Sequence, residues 1–150
     1  MTTIRVEQMT PEVLSSVVAL EEECGLNSRG VEGYRKRLSN PNTILLAAIE
    51  DGENHHVVGM FSGDVVVNEL QIDNLAVSAR FRRMGIGQTL LKSALSLATR
   101  LCAHNAILEV RSANMPARAF YEKEGFVIAG FRKRYYTAPS DDALLLSREI

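Results

Sequence analysis

The stretch Arg82-Arg83-Met84-Gly85-Ile86-Gly87-Gln88-Thr89-Leu90-Leu91 constrains this chain more than any other. An alternating apolar run ending in Asn74-Leu75-Ala76-Val77 precedes it, and an amphipathic run from Ile86 to Cys102 follows. The stretch therefore reads as a turn from a strand into a helix. Gly85 and Gly87, one residue apart, let the backbone turn tightly and approach a ligand closely. A helix that starts there offers free N–H groups and the positive end of its dipole, a site for phosphate oxygens. Arg82 and Arg83 add charge at the same spot, so a pyrophosphate-bearing ligand is the first functional inference.

A Walker loop requires Lys-Ser/Thr after its last glycine, where this chain has Gln88-Thr89. A dinucleotide fingerprint requires a third glycine where Leu90 stands, and belongs near the start of a domain. The remaining structural alternative is a plain strand-to-helix turn carrying solvated arginines.

At 150 residues the chain is expected to form a single domain over 1–150 with a substantial core, since 46% of its residues are hydrophobic. A net charge of -1 supplies no global field toward nucleic acid or an anionic membrane, so neither is an expected partner. No apolar run reaches membrane-spanning length, and Met1 to Glu7 lacks the apolar core of a signal peptide. The expected compartment is the cytoplasm. Cys24 and Cys102 share no metal-type spacing and read as packing thiols.

Alternation over Thr2 to Gln8 predicts a first strand, and Thr10-Pro11 opens a helix that buries Val13, Leu14, Val17, Val18 and Leu20. Glu21-Glu22-Glu23 reads as its solvated end. A second helix over Val31 to Leu38 leads, through Asn40-Pro41-Asn42, to a strand from Thr43 to Ile49. Asp51-Gly52-Glu53-Asn54 reads as a hairpin turn, followed by strands from His55 to Val67 and from Glu69 to Val77. His55 and His56 alternate faces with no third ligand nearby, so no metal site is expected.

In the helix after the glycines, Ile86, Leu90, Ala94, Leu97, Ala98 and Leu101 form the apolar face. Ala106 to Arg111 is a strand, and Asn114-Met115-Pro116 starts a helix that Gly125 closes. Phe126 to Tyr136 and Ala143 to Arg148 are two last strands joined by a Pro-Ser-Asp-Asp loop. The order β-α-α-β-β-β-α-β-α-β-β predicts an α/β fold, a mixed sheet of about seven strands flanked by about four helices.

The pattern Arg-x-x-Gly-x-Gly after an Asn-Leu-Ala-Val strand resembles the acetyl-CoA-binding motif of the GNAT N-acetyltransferases. Leu108-Glu109-Val110-Arg111-x-x-Asn114, then Ala117, Tyr121 and Gly125-Phe126, resembles the C-terminal half of the RimI-type ribosomal-protein-alanine N-acetyltransferases of that family. The resemblance runs from about Glu69 to Asp142-Ala143-Leu144 and implies the GNAT fold, with acetyl-CoA as co-substrate and no metal.

The roles it implies fit the chemistry of amide formation. A protein α-amino group is mostly protonated at pH 7, so attack on a thioester needs a base. The resemblance makes Glu109 that base, and strand alternation puts Glu109 on one face with Ile107 and Arg111. Tyr121 is implied as the donor of a proton to the leaving CoA thiolate. Leu75, Ala76 and Val77 are implied to hold the pantetheine and steady the oxyanion, and Arg82, Arg83, Met84, Gly85, Ile86, Gly87 and Gln88 to cradle the pyrophosphate. Asn114 is implied as a CoA contact and also reads as a helix cap.

Arg132, Tyr135 and Tyr136, within Arg132-Lys133-Arg134-Tyr135-Tyr136, match the wall of the peptide groove in the RimI group. Read as a strand, that run alternates faces. Two departures lie on the acceptor side. Cys24-Gly25-Leu26 stands where the family has Pro-Trp, and Thr137 replaces the proline expected after the tyrosine pair. The expected function is transfer of acetyl from acetyl-CoA directly to an amine. The expected acceptor is the N-terminal α-amino group, alanine, of a ribosomal or other protein, a small-subunit ribosomal protein among them. The alternatives are a GNAT enzyme acting on a small-molecule amine or a lysine, and a non-catalytic CoA-binding regulatory module. The sequence says nothing of oligomeric state.

Overall fold

A computed structural model describes residues 3–52 and 56–150. Its elements are β1 (Ile4–Gln8), a 3-10 turn at Pro11–Val13, α1 (Leu14–Glu23), α2 (Gly30–Arg37), β2 (Thr43–Glu50), β3 (His56–Val66) and β4 (Glu69–Val77). After a 3-10 turn at Ala79–Phe81 come α3 (Ile86–Arg100), β5 (Asn105–Arg111), α4 (Met115–Lys123), β6 (Val127–Thr137) and β7 (Ser140–Glu149). The expected mixed α/β architecture is the observed one. His55 and the second half of the expected Asp51–Asn54 turn lie outside the described residues. Among the described residues no helix is long and apolar enough to cross a membrane.

The seven strands form one sheet in the order β1-β2-β3-β4-β5-β7-β6. β2 explains the layering. Its uninterrupted apolar run is what a strand covered on both faces requires. Ile44, Leu46 and Ala48 pack on one side with α3 residues Ile86, Leu90, Leu91, Ala94, Leu95 and Ala98. Leu45, Ala47 and Ile49 pack on the other with Leu14, Val17 and Leu20 of α1 and Tyr34 of α2. Full burial of each large aliphatic side chain stabilises the fold by roughly 1.5–3 kcal/mol.

Four local expectations are corrected. Leu91 and Leu95 are buried in α3 along with the expected residues, while Leu97 only packs at the margin, because the helix lies across β2, β3 and β4 and buries a broader stripe. Glu21 is not solvated: it follows Leu14 and Val17 on the inward stripe of α1 and is 0% exposed. Cys102 is exposed, in a left-handed turn after α3 (φ 66°), so only Cys24 of the two thiols packs against the core. The Pro-Ser-Asp-Asp loop is absent, because β7 already begins at Ser140, directly after a tight turn through Ala138-Pro139.

The strand pairing opens the sheet where the sequence places its chemistry. β4 and β5 are parallel and pair only at Glu69, Leu70 and Gln71 with Asn105, Ala106 and Ile107. Beyond Gln71 and Ile107 they separate. A bulge adds to the divergence: Ser62 faces Asn74 and Gly63 faces Ile72, leaving Asp73 without a partner on β3.

Candidate active site

A cleft of about 970 Å³ lies beside the free end of β4, between the start of α3 and α4. Leu75, Ala76 and Val77 of β4 line it together with Arg82, Arg83, Gly85, Ile86, Gly87 and Gln88, Asn114 before α4, and Tyr121 on α4. Of the residues implied by sequence for the cofactor, Met84 alone is not in the lining, and its side chain is exposed. The cleft also takes in Cys24, Leu26, Phe81, Phe120, Lys123 and Glu124, which the sequence reading did not assign to a site. For Cys24 and Leu26 a signal existed, since they stand at the departure from the Pro-Trp pattern.

The loop earns its shape from backbone conformations. Arg83 and Gly85 both have positive φ (64° and 80°), so the chain twists twice before α3 begins. Gly85 is the residue before the helix, and no side chain caps its first N–H groups. Those donors are left for a ligand, at the dipole's positive end. Gly87 permits a close approach, since a Cβ there would meet the Phe120 ring at 3.4 Å. Arg82 Nε donates to the Val77 carbonyl at 3.2 Å, and Cys24 Sγ donates to the same oxygen at 3.7 Å. Asn114 is the cap expected of it, its Oδ1 accepting from the Ala117 N–H at 3.2 Å.

Tyr121 sits edge-on between Phe120 and Phe126, with ring centroids 5.1 and 5.3 Å away. Burial pushes its phenol well above the ordinary tyrosine range, so the proton is held throughout the neutral range. The ring packs with Leu108 and Val110 of β5, on the α3 side of the sheet.

Glu109 faces the other side. It is not in the cleft lining. Its Oε1 is 3.4 Å from Arg132 Nη2, with the carboxylate 30% exposed and the guanidinium 65% exposed. Arg132, Tyr135 and Tyr136 are brought together by a second bulge, which corrects the expectation of simple alternation. Arg132 faces Ala143 and Tyr136 faces Asp141, so three residues of β6 stand opposite the single Asp142. Arg134 adopts φ 52°, and its N–H donates to Asp142 Oδ1 at 2.9 Å. Tyr135 and Tyr136 meet edge-on at 5.1 Å, with Arg132 over the first ring at 5.5 Å and Arg111 over the second at 4.2 Å. Burial and then the Glu109 carboxylate raise the Tyr136 phenol. Among the described residues no three His, Cys, Asp or Glu gather as a metal site.

Fold and site together define a class: an α/β protein whose split sheet leads through a glycine turn into an uncapped helix start, with a buried phenol on one face and a carboxylate on the other. Residues 14–126 match the profile of the Acetyltransferase (GNAT) family, and the chain belongs to that family. A Bacillus subtilis protein with the provisional name ribosomal protein bS18-alanine N-acetyltransferase is 36% identical over 113 residues, 75% of this chain and 73% of that protein. The Escherichia coli K12 ribosomal protein bS18-alanine N-acetyltransferase is 34% identical over 88 residues, 57% of this chain and 60% of its own length. A crystal structure of Arabidopsis thaliana NAA60 with acetyl-CoA matches 99% of both chains with a TM-score of 0.88 at 17% identity, which establishes the shared fold. The chain is thus an acetyl-CoA-dependent N-acetyltransferase by family.

Proposed function

We propose that residues 1–150 act as one domain that transfers acetyl from acetyl-CoA to the N-terminal α-amino group of a protein, with an N-terminal alanine as the first acceptor. The observation that carries this reading is the divergence of β4 from β5. It leaves Tyr121 and the uncapped start of α3 on one face of the sheet and Glu109 on the other. Donor and acceptor then approach the gap from opposite sides. The names of the Bacillus and E. coli relatives support the ribosomal alanine acceptor.

In this reading the pyrophosphate lies on the N–H groups of Gly87 and Gln88 beside Arg82 and Arg83, and the pantetheine runs along Leu75 to Val77 as an added strand. Glu109 takes a proton from the ammonium group, directly or through one water. The amine nitrogen attacks the thioester carbon, and a backbone N–H near Val77 steadies the oxyanion. The C–N bond forms and the nitrogen sheds its second proton to water, the C–S bond breaks as Tyr121 gives its proton to the departing sulfur, and solvent returns a proton to the Tyr121 phenolate. Arg132, Tyr135 and Tyr136 form the wall along which the acceptor chain lies.

The test is a choice of acceptors. An alanine-terminated peptide, the same peptide with a blocked α-amine and a free lysine, and a polyamine are each incubated with acetyl-CoA and followed by mass spectrometry. Acetylation of the free α-amine alone supports the reading, whereas acetylation of the lysine or the polyamine alone contradicts it.

A further inference from the structure

Glu21 is the one fully buried carboxylate among the described residues, and it has no cation within ion-pair distance. Three neutral donors from three parts of the fold satisfy it instead. Tyr34 Oη of α2 donates at 2.7 Å, Asn74 Nδ2 of β4 at 2.7 Å, and Ser28 Oγ of the loop between the helices at 3.0 Å. Asn74 Nδ2 also donates to the Asn27 carbonyl at 3.2 Å, and Ser28 Oγ accepts from the Gly30 N–H at 3.0 Å. Next to Asn74, the bulged Asp73 holds Arg37 of α2 at 3.0 Å and Arg29 of the same loop at 3.4 Å.

A buried carboxylate is costly unless every donor is aligned, so its partners are held to one arrangement. The partners here are the two walls of one side of the cleft. Asn74 precedes Leu75, Ala76 and Val77, which line the cleft from β4, while Cys24 and Leu26 line it from the loop that Ser28 and Asn27 tether. This loop carries Cys24-Gly25-Leu26 in place of a proline and a tryptophan, so a polar clasp does what a large apolar anchor is absent to do.

Building on the acetyltransferase reading, we propose that Glu21 is a positioning residue for the acceptor: its buried carboxylate sets the separation between residues 24–29 and β4, and thereby the width of the groove that receives the acceptor's first residues. The pyrophosphate of acetyl-CoA is anchored apart from the clasp, by the turn at Arg82 to Gln88, so the donor loses less than the acceptor when the clasp is lost.

The experiment measures kcat, both KM values and thermal midpoint for wild type, E21Q and S28A, with acetyl-CoA and an alanine-terminated peptide. In E21Q the amide oxygen can keep Tyr34 and Asn74, which share Oε2, but the new NH2 meets Ser28 Oγ and the charge behind all three hydrogen bonds is gone, which is expected to raise the acceptor KM at least about fivefold. The acetyl-CoA KM is expected to hold within about twofold. A merely structural role would move both KM values together. S28A frees only the loop, keeps the core intact, and is expected to raise the acceptor KM about twofold or more. An unmoved acceptor KM in E21Q, or in S28A should E21Q not fold, overturns the proposal. Absence of turnover in wild type contradicts the acetyltransferase reading and this proposal with it, whereas turnover with an unmoved acceptor KM contradicts this proposal alone.

Discussion

Arg132 on β6 reaches across β7 to Glu109 on β5, Nη2 to Oε1 at 3.4 Å, although 23 residues separate them in sequence. The bulge after Arg132 makes this reach, because it lets the strand turn Arg132, Tyr135 and Tyr136 toward one carboxylate.

Arg132→Ala removes an exposed ion pair, which contributes less than about 1 kcal/mol, so the thermal midpoint should barely move. The acceptor KM should rise several-fold while the acetyl-CoA KM holds. Steady-state kinetics with each substrate varied in turn checks the split, and equal effects on both would remove Arg132 from the acceptor wall.

Gly85→Ala places a Cβ at φ 80°, a conformation that costs an L-residue about 1–2 kcal/mol. That strain falls on the residue that aims the first N–H groups of α3. The variant should be less stable by about this amount and should bind acetyl-CoA several-fold more weakly by calorimetry. Unchanged affinity would mean that the pyrophosphate lies elsewhere.

The two thiols make an internal control for the cleft. Cys24 lines it, and burial pushes its thiol up, with the nearby Arg82 opposing the shift. Cys102 is exposed. Iodoacetamide should therefore modify Cys102 first, and saturating acetyl-CoA should slow modification of Cys24 while leaving Cys102 unchanged. Peptide mass spectrometry reads both rates. A Cys24 rate indifferent to acetyl-CoA would contradict the placement of the donor.

Tyr34 and Tyr121 are both raised by burial, Tyr34 further by Glu21. Their neutral forms favour the folded state. The stability they contribute is complete below the unfolded value of about 10 and is lost as pH climbs from there toward the folded values. Thermal midpoints should fall steeply above about pH 10, and Tyr121→Phe should flatten that fall. An alkaline limb identical in wild type and Tyr121→Phe would contradict the burial of this phenol.

Much of the fold could be read in the chain because local and global signals agree there. The apolar run of β2 is buried on both faces, Asn114 caps α4, and the turn at Gly85 begins a helix where its glycine spacing says it should. The residues given to the cofactor, Met84 apart, fall along one cleft for the same reason: most are nearly contiguous, in Leu75 to Val77 and Arg82 to Gln88. What escaped was long-range. A strand pattern of period two cannot show that Asp73 is left over, or that Lys133, Arg134 and Tyr135 stand opposite one residue, because a bulge is a property of two strands. Glu21 reads as solvated by its charge and by its two acidic neighbours, yet its place after Leu14 and Val17 turns it inward. Its three donors lie 7, 13 and 53 residues away.

In the proposed reaction Glu109 and Tyr121 move the protons of acetyl transfer from opposite faces of the split sheet. Thiol release from acetyl-CoA, with a short peptide bearing a free N-terminal alanine, tests it in wild type, Glu109→Gln and Tyr121→Phe. The account predicts release that depends on the peptide and falls at least about tenfold in each variant, since such groups typically contribute about a hundredfold or more. Release at the wild-type rate in either variant, with acetyl-CoA still bound, would contradict it.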